Sequence, residues 1–125
     1  MDVYSIHGTA KTPSILLDPE AGTLDIKGCC NPENTIEFFS HLLNAVDVYG
    51  KTSPKKFEIN LQLDYFNTSS SKCFLDLFKN SELLMRGGTK VSVNWIYDHD
   101  DQEWLDVGKD YESMTEVPFK YTEAE

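Results

Sequence analysis

From Phe57 to Asp64 hydrophobic and polar residues alternate without a break. Phe57, Ile59, Leu61 and Leu63 fall on one face, and Glu58, Asn60, Gln62 and Asp64 on the other. A period of two predicts a strand with one buried face. Val91, Val93, Trp95 and Tyr97 repeat the pattern opposite Ser92, Asn94 and Asp98, with Ile96 as the exception. Between these strands the period changes. Cys73, Phe74, Leu77 and Phe78 recur at helical spacing, predicting a helix over about 69–86 that Gly87-Gly88 stops. An earlier helix carries Ile36, Phe39, Leu42, Leu43, Val46 and Tyr49 as its buried stripe and ends at Gly50. Asn31 is its expected N-cap, with Pro32 at the first helical position and Glu33 in the first turn.

The flanks are weaker in signal. Ser14 to Asp18 and Thr23 to Lys27 read as short strands joined by the turn Pro19-Glu20-Ala21-Gly22, and Val3 to Ile6 as an edge strand. A more polar helix is expected over Gln102 to Tyr111, followed by a last edge strand at Val117 to Tyr121, where Pro118 is tolerated only at an edge or a strand start. Strands buried on both faces read as continuous apolar runs, and these do not. Right-handed crossovers in one direction put successive helices on one face. The expected fold is therefore a two-layer α/β domain, a mixed β-sheet with helices packed mainly on one face, formed as a single domain over residues 1–125.

Charge and composition narrow the function. The chain of 125 residues holds 21 acidic and 11 basic side chains, a net charge of −10. Such a surface repels phosphate backbones, and Lys55-Lys56 is its only basic doublet, so neither nucleic acid nor anionic lipid is an expected partner. A protein partner with a basic face fits better, although an acidic balance also serves solubility alone. No apolar run approaches the roughly 20 residues of a membrane helix. The N-terminal Met1-Asp2-Val3-Tyr4-Ser5 resembles no export signal, and the 3 cysteines, with Cys29-Cys30 adjacent, are a poor disulfide framework. A reduced cytoplasmic setting is expected.

One polar run stands at a chemically special place. Asn67-Thr68-Ser69-Ser70-Ser71 lies between the strand ending at Phe66 and the helix that follows. Helix N-terminal N–H groups and the helix dipole favour an anion there. A Thr or Ser at this junction caps the helix, contributing about 0.5–2 kcal/mol. Phosphorylated, it carries roughly −1.5 to −2 charges and new acceptor oxygens. The residues alone leave both readings open, though the run is longer than a single cap needs.

Other clusters offer less. Asp98-His99-Asp100-Asp101 follows a strand and has metal-binding residue types, but His7 and His41 are remote and Asp100 or Asp101 serves equally as a helix cap. Cys29 and Cys30 precede the expected N-cap, where a thiolate is stabilised, yet they read more simply as semi-buried small residues. Trp95 and Trp104 read as core. No nucleophile–base–orienter set, glycine-rich phosphate loop or cofactor motif is present, so no catalytic residue, metal ligand or cofactor is assigned.

Taken together, Tyr65-Phe66-Asn67-Thr68-Ser69-Ser70 after a strand, Gly8-Thr9 with Thr12-Pro13, Pro32-Glu33-Asn34 and Trp95-x-Tyr97-Asp98 give the chain a resemblance, over essentially its whole length, to the SiaC-type regulatory phosphoproteins of bacteria. The resemblance implies a fold like the STAS domains of anti-sigma-factor antagonists and a non-enzymatic adaptor in a partner-switching system. It implies a cognate serine/threonine kinase, a PP2C-like phosphatase and an effector, such as a diguanylate cyclase, bound and activated by the unphosphorylated form. Thr68 matches the phosphoacceptor. Ser69 and Ser70 are alternative acceptors, and Asn67, Thr68, Ser69 and Ser71 are the expected partner-facing residues. The chain departs from the family pattern at Ser70-Ser71 and at the acidic tail Glu123-Ala124-Glu125. With the resemblance, phosphoregulation at Thr68 outweighs simple capping. The competing readings are a small metal-dependent enzyme using Asp98, His99 and Asp100, and a constitutive interaction domain.

Overall fold

A computed structural model describes residues 2–125. Its elements, in chain order, are β1 (Tyr4–Ile6), β2 (Ser14–Asp18), β3 (Thr23–Cys30), α1 (Thr35–Gly50), β4 (Lys56–Phe66), α2 (Thr68–Arg86), β5 (Lys90–Tyr97), α3 (Gln102–Met114) and β6 (Phe119–Glu123). One six-stranded sheet runs β1-β2-β3-β4-β5-β6, so every strand lies beside its sequence neighbours. β1, β2 and β3 pair antiparallel, whereas β3 to β6 pair parallel, each parallel step crossing over through a helix. The mixed α/β fold expected from alternation is the one formed.

Alternation decides which face the helices cover. Leu24 and Ile26 of β3, Phe57, Ile59 and Leu61 of β4, and Val93 and Trp95 of β5 are at most 1% exposed and pack with Phe39, Leu42, Phe74, Leu77 and Phe78 from α1 and α2. Each such side chain, fully buried, contributes about 1.5–3 kcal/mol through area removed from water. The opposite face is polar and partly exposed. There a side-chain chain crosses four strands: Asn60 Nδ2 donates to Asp25 Oδ1 (2.8 Å), Asn94 Nδ2 to Asn60 Oδ1 (3.2 Å), and Thr122 Oγ1 to Asn94 Oδ1 (2.6 Å). Cross-strand pairs of this kind fix register on a face that apolar burial does not.

α3 is seated by tryptophan. The Trp95 and Trp104 rings stack with centroids 4.2 Å apart. Trp95 Nε1 donates to the Trp104 carbonyl (2.8 Å) and Trp104 Nε1 to that of Ile96 (3.0 Å), which satisfies both buried indole donors. Gly108 makes this approach possible, because a Cβ there would lie 2.7 Å from Trp95 ring atoms.

Several local expectations are corrected. α1 begins at Thr35 with Asn34 as N-cap, its side chain accepting from Glu37 N (3.1 Å); Asn31 and Pro32 instead belong to the connection from β3. The reason is that β3 continues through Cys29 and Cys30, which pair with Tyr65 and Phe66 across a bulge at Gly28/Cys29. Cys29 and Cys30 are therefore strand residues. Ile36 is not in the buried stripe: it is 80% exposed, while Thr35, Phe39, Leu42, Ala45, Val46 and Tyr49 face the sheet and α2. Leu43 is only partly buried. β6 is shifted to Phe119–Glu123, leaving Pro118 just ahead of it, and α3 extends to Met114.

Candidate functional site

The carboxyl ends of β3 and β4 carry the two chain segments that enter α1 and α2, and these segments are tied together. Asn67 N donates to the Cys30 carbonyl (2.9 Å), continuing the strand pairing one residue beyond β4. Asn67 is also the N-cap of α2, with φ −81° and ψ 163°, and its Oδ1 accepts from Ser70 N (3.0 Å) and from the Ser70 hydroxyl. Its Nδ2 reaches across to Asn31 Oδ1 (3.1 Å) and the Pro32 carbonyl (3.5 Å). One amide thus caps α2 and fastens it to the entry of α1.

The four hydroxyls that follow have different fates. Ser70 is fully buried and accepts from the Cys30 thiol (3.5 Å). Ser69 Oγ lies 2.7 Å from Oγ1 of Thr35, the first residue of α1. Ser71 Oγ donates to the Thr68 carbonyl (2.7 Å). Thr68 is the first residue of α2, is exposed, and its hydroxyl has no hydrogen bond among the described residues. The expectation that Thr68 or a serine supplies the cap is corrected, since Asn67 supplies it. Thr68 stands at the N-terminal end of α2 with no structural duty of its own.

Beside Thr68 runs a groove of about 540 Å³ between α1 and α2, lined chiefly by Ile36, Phe39, Leu43, Thr68, Lys72 and Cys73. The exposed Ile36 forms part of its wall. A second groove of about 300 Å³, with Phe66, Leu75, Val107 and Met114 as its apolar surface, lies on the other side of α2 against α3 and also includes Ser71 and Lys72. Sequence periodicity placed Ile36 in the core; only the packing of α2 leaves it open.

Cys30 and Cys73 are neutral thiols set into this junction. Burial pushes the Cys30 thiol up to about 11, with the Ser70 hydrogen bond opposing, and burial likewise raises Cys73. All three cysteines are free. The Asp98–Asp101 stretch forms an exposed turn in which Asp101 caps α3, its Oδ1 accepting from Trp104 N (3.0 Å). Among the described residues no three His, Cys, Asp or Glu side chains converge on a position that could hold a metal ion. No helix among them is long and apolar enough to cross a membrane.

Comparison with known proteins places this geometry in context. The family model for SiaC family regulatory phosphoproteins matches residues 6–124. An uncharacterized protein of Pseudomonas aeruginosa (strain UCBPP-PA14) is 32% identical over 119 residues, which is 95% of this chain and 94% of the relative. The crystal structure of apo-SiaC from Pseudomonas aeruginosa is 31% identical and superposes with a TM-score of 0.91, covering 98% of this chain and 99% of that one. A SiaC chain from the same organism, in a crystal structure of the diguanylate cyclase SiaD in complex with its activator SiaC, is 30% identical with a TM-score of 0.92, covering 97% and 99%.

Proposed function

The chain belongs to the SiaC family of regulatory phosphoproteins, and from that premise we propose that it is a phosphorylation-switched adaptor. Its unphosphorylated form binds and activates an effector, a diguanylate cyclase by analogy with the SiaD complex. A cognate serine/threonine kinase phosphorylates Thr68 and releases the effector, and a PP2C-like phosphatase restores the binding form. The chain acts by contact rather than catalysis.

The observation that carries the assignment is the difference among the hydroxyls. Ser70 is buried, Ser69 and Ser71 are hydrogen-bonded, and Thr68 is exposed with a free hydroxyl at the rim of an apolar groove. A kinase reaches Thr68 without dismantling the junction. A phosphate there meets the positive end of the α2 dipole, an interaction worth about 0.3–1 kcal/mol in its favour. The fold therefore tolerates the modification. An effector seated over the groove does not, because close to two negative charges in a desolvated contact cost several kcal/mol unless paired.

The test is incubation with the kinase and ATP, site mapping by mass spectrometry, and calorimetry of both forms against the purified cyclase. One phosphate on Thr68, an unchanged melting temperature and an affinity loss near 150-fold, equivalent to about 3 kcal/mol, are expected. Phosphate confined to Ser69, Ser70 or Ser71 would overturn the residue assignment, and equal affinity of the two forms would overturn the switch.

A further inference from the structure

Lys72 lines the groove between α1 and α2 and also the groove between α2 and α3, and it is the one cation among the residues lining either. It is exposed and forms no ion pair among the described residues, in contrast to Lys11, Lys51, Lys56, Lys79, Arg86 and Lys120. It also lies four residues after Thr68 within the same helix. Side chains at that spacing stand one above the other on the helix surface, with Cβ atoms about 5–6 Å apart. A lysine stem spans that gap easily, and an anion placed N-terminal to a lysine is the favoured orientation of such a pair.

We propose that Lys72 is the internal counter-ion of phosphorylated Thr68, and that phosphorylation draws this ammonium out of the groove between α2 and α3 and toward the Thr68 rim of the groove between α1 and α2. The inference rests on the phosphorylation of Thr68 proposed above and concerns how that phosphate is read. The other charged or titratable groups lining the two grooves are Cys73, Asp76, Asp110 and Tyr111, and α1 contributes none. Asp76, four residues after Lys72, is the competing anion on α2. It carries one charge, stands on the less favoured side of the lysine, and is farther from the helix N-terminus. A dianionic phosphate prevails over it. One modification at the junction thereby changes two surfaces about a helix diameter apart, through a single mobile side chain and without backbone rearrangement.

The pair is read by the phosphate itself. In phosphorus NMR titrations of the kinase-treated protein, the second phosphate ionisation, near pH 6 for an unpaired phosphothreonine, is lowered by a neighbouring cation. Lys72→Met should raise it by about 0.2–0.4 pH unit, as loss of an i,i+4 ion pair implies. Lys72→Arg should leave it lowered, and Lys55→Met, in the loop before β4, should leave it unchanged. In the unmodified sequence, amine-specific labelling of Lys72 should slow on phosphorylation while labelling of Lys55 does not. Absence of phosphate at residue 68 would remove the switch and this inference together. Phosphate at residue 68 with an ionisation indifferent to Lys72→Met, or a Lys72 labelling rate indifferent to phosphorylation, would overturn the inference and leave the switch standing.

Discussion

Thr35 and Ser69 share a hydrogen bond of 2.7 Å that joins the first turn of α1 to the first turn of α2. The two residues are 34 apart in sequence, and their contact brings two helix N-termini to one place at the carboxyl edge of the sheet. Thr35 is nearly buried, at 8% exposure, whereas Ser69 is open to solvent on its other side. Ser69→Ala leaves the Thr35 hydroxyl short of a partner and should lower stability by about 1 kcal/mol in urea denaturation. The double variant Thr35→Val with Ser69→Ala should lose less than the sum of the singles, because neither group is then stranded. Strict additivity would show that the bond does not hold the helices together.

The corrected cap gives a sharper contrast. Asn67→Ala removes the α2 cap and the tie to Asn31, so a loss of about 2 kcal/mol, the upper end for caps, is expected. Thr68→Ala removes an exposed hydroxyl without partners and should change stability by no more than about 0.5 kcal/mol. Equal destabilisation by the two substitutions, measured by thermal unfolding, would return the capping role to Thr68.

Gly108 allows α3 to lie directly on Trp95, and an added methyl would meet the indole at 2.7 Å. Gly108→Ala should therefore destabilise by about 1–3 kcal/mol despite alanine's better helix propensity. Near-ultraviolet circular dichroism should report a disturbed Trp95–Trp104 stack. A stabilised variant with an unaltered spectrum would show that the helix is free to shift outward.

Acid stability should depend on Glu82. This carboxylate on α2 accepts from Glu116 N (2.8 Å), which ties the segment before β6 back onto the helix. That backbone hydrogen bond is the main cause of its lowered pKa, with Thr115 and Lys79 adding to it against the opposing effect of burial. A carboxylate whose pKa is lower folded than unfolded stabilises the fold above its ordinary value of 4.5. The contribution fades as pH falls through the lowered folded value. Glu82→Gln should thus be less stable than the parent at pH 7 and show a shallower loss between pH 5 and its acid transition. Parallel pH profiles for the two proteins would contradict the linkage.

Much of this architecture is local in origin and so could be read along the chain. Period-two alternation at 57–63 and 91–95 specifies which residues point at a core, whatever that core contains, and half-exposed alternation already implies helices on one face of the sheet. The turn ending in Gly22, the stop at Gly87-Gly88 and the Asp101 cap depend on a few adjacent residues. The strand-to-helix position of the Asn67–Ser71 run follows from the same signals.

What the linear pattern left open were choices between chemically equivalent neighbours. Asn31 and Asn34 are equally good caps, and Asn34 is used because the pairing of β3 with β4 keeps the chain extended through Cys30. Ile36 has the spacing of a core residue, but Thr35 takes the buried position in the first turn of α1 and Ile36 is left on the open side of the groove between α1 and α2. Among Thr68, Ser69, Ser70 and Ser71, composition cannot say which hydroxyl is free. That is decided by Asn67 turning inward to Ser70 and by α1 bringing Thr35 to Ser69. Periodicity along a chain encodes direction toward or away from a core. Exposure and hydrogen bonding at one atom depend on a second segment arriving beside it, and only the tertiary structure supplies that segment.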